Sequence, residues 1–257
     1  MKYYVADAFT DKIFGGNPAG ICIPDKDISD ETMQKIACEN NLSETAFLKK
    51  TGDTYSLRWF TPTFEIDLCG HATLASAFIV LEFLEPNADR VLFDTISGRI
   101  AVEKKNGAYE MSFPIRKPEK IKITEELCDA LGFVPKELYS ARDLFAVMDS
   151  EEDVKSFKPD YHKLIKLDKW LGIAVTAKGS DCNFVSRFFC PELLREDPVT
   201  GSSHSSLVPL WSEKLGMTEM TARQLSSRGG TLYCRLCKDD IKLSGKAALY
   251  MQGDIKV

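Results

Sequence analysis

The sequence predicts an α+β protein of two similar lobes, each with a sheet placed around a central helix. Three observations predict it. Gly70 of CGHAT and Gly201 of TGSSH lie 131 positions apart, and Gly98 of TISGRIAVE and Gly229 of SSRGGTLYC are also 131 apart, two matched landmarks at about half of a 257-residue chain. The segment from about His71 to Phe83 carries Leu74, Ala75, Phe78, Ile79, Leu81 and Phe83 around most of a helical circumference, as expected of a buried axle that sheet surrounds. The remaining apolar residues mostly alternate in short runs bounded by turn residues, the signature of strands.

Each element follows in order. YYVADAF alternates, TDKIFGGNPAG is turn chemistry, ICIP is a short apolar strand, and Asp30 precedes a helix, ETMQKIACEN, with Met33, Ile36 and Ala37 at helical spacing. ETAFLKK and YSLRWF read as strands, and past the apolar helix so do VLFDTI, RIAVEKK and AYEMSFP, the last two joined by an Asn106-Gly107 hairpin. The stretch RDLFAVMDSEEDVKSFKPDYHKL gives a strand and then a polar helical connector, with His162 on the surface. Acid, glycine turn, helix, glycine turn and alternating strand then recur, which predicts lobes 1–115 and 116–257, with a C-terminal strand able to cross back. Pro209, inside the second central helix, predicts a kink or a late start there.

Composition excludes several classes. With 44% hydrophobic and 28% charged residues the chain is expected to be globular rather than disordered. A net charge of −5, with basic residues scattered and IRKPEKIKI read as solvated surface, argues against nucleic acid. MKYYVADAF lacks a signal-peptide core, and the longest apolar stretch, Ala72 to Leu84, is broken by Thr73, Ser76 and Glu82, so no membrane span and a cytoplasmic location are expected. Eight cysteines in such a chain read as reduced thiols. Cys234 and Cys237 would point to opposite faces of a strand, and with no second pair a metal site is not expected. GGNPAG lacks the lysine and hydroxyl of a phosphate loop, and no Gly-x-Ser-x-Gly elbow is present.

A glycine opening a helix leaves the first N–H groups of that helix free to hold an anion. His71 and Ser202 follow the two glycines at equivalent positions, as side-chain additions to two anion-binding backbones. The alternative is structural: Ser202 and Ser203 cap a helix and His71 fills a corner. Repetition of the pattern favours the functional reading. Glu44 is a second anomaly, since in ETAFLKK it shares a face with Ala46 and Leu48. It is either a strand-end charge reaching solvent or a buried carboxyl suited to acid/base work. His204 falls about one turn into the second helix.

In order along the chain, FGGNPAG, NLSETAFL, CGHATLASA, EDPVTGSSH and the later RGG resemble the motifs of the PhzF-like (phenazine biosynthesis) family, which shares the diaminopimelate epimerase fold. The resemblance spans almost the whole chain. It implies two lobes, each a barrel-like, mostly antiparallel sheet around a central helix, and an isomerase that uses no cofactor and takes a small carboxylate between its lobes. Carried over by motif, it implies Glu44, His71 and Asp197 as catalytic residues, with Glu44 moving the proton and the other two binding or relaying. It implies Gly70, Gly201 and Ser202 as holders of a carboxylate, with Asn17 of GGNPAG also facing the ligand. Related amino-acid racemases place a thiol before each glycine; here Cys69 precedes Gly70 but Thr200 precedes Gly201, which disfavours two-thiol chemistry. Cys69 then reads as a buried structural thiol or as the single thiol of an unusual racemase. A module that holds an anionic metabolite without turnover is the other alternative. Two lobes in one chain neither require nor exclude a homodimer.

Overall fold

A computed structural model describes residues 1–257. The chain divides into two compact units, Met1–Ser112 with Leu243–Val257, and Phe113–Lys242. The division falls close to residue 116, and the last residues belong with the first unit.

The first unit contains β1 (Lys2–Ala8), β2 (Asn17–Ile23), α1 (Asp30–Asn40), β3 (Glu44–Thr51), β4 (Thr54–Phe60), β5 (Glu65–Ile66), α2 (Gly70–Ile79), β6 (Arg90–Thr95) and β7 (Gly98–Lys105). β8 (Ala108–Pro114) carries the chain across the division. The second contains β9 (Glu119–Ile121), α3 (Glu125–Leu131), β10 (Glu137–Ser140), β11 (Leu144–Val147), α4 (Glu151–Ser156), α5 (Tyr161–Leu164), β12 (Ile173–Lys178), β13 (Phe184–Cys190), β14 (Arg195–Asp197), α6 (Gly201–Leu215), β15 (Glu219–Gln224) and β16 (Gly230–Leu236). β17 (Asp240–Gly245) leads to β18 (Ala247–Asp254).

The duplication is plain in the pairing. In the first unit β18–β1 and β1–β2 are antiparallel, β2–β3 parallel, β3–β4 antiparallel, β4–β6 parallel and β6–β7 antiparallel, with β5 antiparallel on β4. In the second, β9–β10 and β10–β11 are antiparallel, β11–β12 parallel, β12–β13 antiparallel, β13–β15 parallel and β15–β16 antiparallel, with β14 antiparallel on β13. Parallel neighbours need a crossover long enough to hold a helix. α1 and α2 supply it in the first unit, and α4 with α5, then α6, in the second.

α2 packs on β1, β2, β3 and β18. Leu74, Ile79, Val80 and Leu81 are fully buried, each contributing roughly 1.5–3 kcal/mol of burial. The axle is shorter than its sequence suggests. Val80–Leu84 forms a π turn, closed by Glu85 N–H on Val80 O at 2.7 Å, and the wider turn rotates Phe83 outward to 42% exposure. α1 is capped by Ser29, whose hydroxyl accepts from Thr32 N–H at 3.3 Å, so the helix starts with Asp30 rather than after it.

α6 starts at Gly201 and runs through Pro209 without a break. Proline has no N–H for Ser205 O, and the backbone N–H of Arg116 takes that carbonyl instead at 3.0 Å. A residue read as solvated surface therefore completes the helix. Trp211 of α6 stacks on Phe184 of β13 at 5.8 Å and donates to Thr176 Oγ1 of β12 at 2.9 Å. No helix is long and apolar enough to cross a membrane.

Candidate functional site

In the first unit, three elements deliver four polar side chains to one point. Asn17 opens β2, Glu44 opens β3, and Cys69 and His71 flank Gly70 where α2 begins. Gly16, at φ +60, turns the chain into β2; a Cβ there would stand 2.0 Å from Ala8 O, so only glycine fits. β2 and β3 are parallel neighbours with Ala19 opposite Glu44, which brings the entry ends of the two strands together.

The imidazole of His71 is the centre of the group. Its Nε2 lies 3.0 Å from Glu44 Oε2, and its Nδ1 lies 3.3 Å from the Asn17 amide nitrogen and 3.6 Å from Cys69 Sγ. The side chains of His71 and Glu44 are 9% and 14% exposed, and Asn17 is completely buried. Glu44 is thus no solvated strand-end charge. Burial opposes the charged form of His71, but Cys69 and Glu44 together hold its pKa well above the usual 6.5. Burial, reinforced by the Glu44 charge, pushes the Cys69 thiol up.

Glu44, Cys69 and His71 offer ligand atoms within 4.8 Å of one another. The two ring nitrogens diverge, however, with the thiol beside Nδ1 and the carboxylate beside Nε2. An ion on the lone pair of Nδ1 next to Cys69 would leave Glu44 behind the ring, so the set suits proton traffic better than a tetrahedral metal.

No side chain caps α2, and Thr73 is its first residue to bond back, to Cys69 O at 3.1 Å. The amides of Gly70, His71 and Ala72 therefore form an electropositive helix end beside the Glu44–His71 pair.

The second unit builds a related helix end from Asp197, Thr200, Gly201 and Ser202. The Thr200 hydroxyl donates to Asp197 Oδ2 at 2.5 Å, and so does not cap α6. Gln224, at the end of β15 and 1% exposed, braces the turn: its Oε1 accepts from Thr200 N–H at 2.9 Å, and its Nε2 donates to Asp197 O at 2.6 Å. Arg142 donates from Nη2 to Ser202 Oγ at 3.0 Å and grips the buried Asp143 through Nε and Nη2 at 3.0 and 2.8 Å.

His204 is fully buried and bonds through Nδ1 to Thr200 O at 2.8 Å, so it holds the helix start from within the core. Burial lowers its pKa to about 4. Sequence reasoning missed Gln224, Arg142 and Asp143, none of which sits in a glycine-turn motif. Cys69, read either as a structural thiol or as the single thiol of a racemase, is buried and lies against the ring of His71.

Comparison with known proteins finds relatives along the whole chain. The profile of the family described as phenazine biosynthesis-like protein matches residues 6–253. An uncharacterised isomerase of Pseudomonas aeruginosa is 41% identical over 100% of this chain and 99% of its own. The crystal structure of a phenazine biosynthesis PhzC/PhzF protein of Clostridium difficile is 52% identical, covers 100% of both chains and superposes with a TM-score of 0.97. That of a PhzF-family protein of Enterococcus faecalis is 45% identical, over 100% of this chain and 99% of its own, also at 0.97. A hydroxyproline epimerase of Agrobacterium vitis, 10% identical over 99% of this chain and 90% of its own, at 0.65, shares the fold alone, which is that of the diaminopimelate epimerases. By profile, identity and coverage, the chain belongs to the phenazine biosynthesis-like (PhzF) family.

Proposed function

We propose that this isomerase works without a cofactor and moves a proton on a small carboxylate-bearing metabolite by general acid/base catalysis. One observation carries the reading: a carboxylate and an imidazole 3.0 Å apart, both largely buried, at the uncapped start of α2. Glu44 removes a proton from a carbon next to the substrate's carboxylate or double bond. The electron pair left on that carbon delocalises into the conjugated oxygen, and the amides of Gly70 to Ala72 stabilise the charge that develops there. Glu44 then returns a proton to the same carbon or to its conjugate neighbour. His71 keeps the carboxylate oriented and exchanges its proton, and Asn17 fixes the ring. Asn17 acts through His71 in this scheme rather than by facing the ligand, since it is fully buried. Asp197, Gly201 and Ser202 bind polar groups of substrate at the α6 end. Curated relatives named as isomerases support the reaction class.

In heavy water with a turned-over substrate, the protein washes deuterium into the reacting carbon. Glu44→Gln lowers that exchange by about 10²–10⁴-fold, the usual contribution of a positioned base. Exchange at the normal rate in this variant would remove Glu44 from the mechanism. Ligand that raises the melting temperature yet returns chemically unchanged and without label would instead mark a binding module.

The contact of Cys69 with His71 favours a second reading, a one-thiol racemase. Chiral chromatography separates the two, because racemisation retained by Cys69→Ser rules out a catalytic thiol.

A further inference from the structure

The second residue of each central helix is held by a residue at the turn of an antiparallel pair, β1–β2 in the first unit and β10–β11 in the second. In the first unit His71 of α2 meets Asn17, where β2 begins. In the second, Ser202 of α6 meets Arg142, just before β11. The two sheets share one order of pairing, so Arg142 occupies the place in its unit that Asn17 occupies in the other. Asn17 belongs to the group around Glu44; nothing in the sequence motifs singles out Arg142.

The chemistry at Arg142 differs from that of a structural arginine. Its Nε and Nη2 are spent on Asp143 and Ser202, while Nη1 has no protein acceptor and the side chain stays 31% exposed. Asp143, at 2% exposure, fixes the plane of the guanidinium and so presents the free edge in one orientation. Ser202 Oγ accepts from Arg142, which leaves its own proton free to donate. Beside them lie the first amides of α6, uncapped because Thr200 turns to Asp197 and Gln224. The hydroxyl of Ser203, in the same first turn and 1% exposed, has no protein partner. Arg116 adds positive charge near Asp143. An incoming anion must share the field with two carboxylates, that of Asp197, taken by the Thr200 hydroxyl, and that of Asp143, held on Arg142 itself.

We propose that Arg142 is a binding residue for a carboxylate, which its Nη1 edge, the Ser202 hydroxyl and the first amides of α6 hold together. The assignment of carboxylate rather than another oxyanion rests on the function proposed above. It makes Arg142 a determinant of specificity: with Nε and Nη2 engaged, Nη1 keeps its charged N–H donors for an anionic oxygen, and a neutral amide or ester would not repay them.

The test uses the full chain and two probes, malonate and inorganic phosphate, at constant ionic strength. Calorimetry gives the affinity and amide NMR the place. Malonate is expected to shift the Gly201, Ser202 and Ser203 amides, with phosphate weaker. The paired variant Arg142→Gln with Asp143→Asn, which leaves no buried charge unpaired, is expected to weaken malonate at least 10-fold. Arg142→Lys, which keeps the charge but loses the fork, is expected to weaken it about 3- to 10-fold. Unchanged affinity in the paired variant, malonate shifts confined to other residues, or no binding by the unaltered protein would overturn the proposal. Phosphate binding tighter than malonate would overturn the carboxylate assignment. Deuterium exchange is read separately, so loss of the Glu44 mechanism with intact malonate binding at Arg142 sinks only the earlier reading.

Discussion

His204 makes the α6 start sensitive to acid, and the size of the effect can be worked out. Its Nδ1 donates to Thr200 O while Nε2, buried against the core, has no partner. Protonation would place a charge on Nε2 with nothing to receive it, so burial lowers the pKa from 6.5 to about 4. In the unfolded chain the ring titrates near 6.5. The folded state therefore keeps its full stability above pH 6.5 and loses it as the pH falls toward 4, because the unfolded chain takes up the proton first. A difference of two and a half units corresponds to ~3 kcal/mol at the low-pH limit, of which ~2.5 kcal/mol is already lost by pH 4.5. His204→Asn keeps a side-chain N–H for Thr200 O but cannot titrate. Urea unfolding of both proteins at pH 7.5 and pH 4.5 measures the difference. The native chain should lose about 2–3 kcal/mol more than the variant, since every other acid titrates alike in the two. Parallel losses would refute the account of His204 as a buried neutral ring.

Two further perturbations address the first unit. Gly16→Ala forces a side chain onto backbone at 2.0 Å in a left-handed conformation; a loss of about 2–4 kcal/mol in denaturant unfolding is expected, and a loss below about 1 kcal/mol would mean that the turn relaxes freely. Asn17→Leu removes the amide whose nitrogen lies 3.3 Å from His71 Nδ1. An amide that donates there favours the neutral ring, so ring-nitrogen NMR of the variant should show His71 titrating higher; a lower value would mean that the amide presents its oxygen to the ring.

Much of this could be read from the letters, and the exceptions have physical reasons. Gly70, Gly201 and their helices were legible because a glycine at a helix start leaves a local signature. Glu44 was legible as a carboxyl on an apolar face. Gln224 was not, because its value lies in reaching Thr200 and Asp197 across the fold, and a strand-end glutamine has no pattern. Arg142-Asp143 reads as an ordinary polar turn until α6 is placed beside it. Pro209 suggested a break because sequence cannot show that Arg116 would bond the carbonyl it leaves bare. Phe83 continued the apolar helical pattern, and only the π turn shows why it leaves the core.

The pairing of β1 with β18 joins residues some two hundred and fifty positions apart: Lys2 faces Asp254, and Met1 and Ile255 exchange backbone bonds. While the ribosome is still building the second unit, β1 has one flank without its neighbour strand, and that edge stays open for the time needed to translate about two hundred and forty codons. The nascent first unit therefore waits on β18, and a chaperone that shields a bare sheet edge would find its client here.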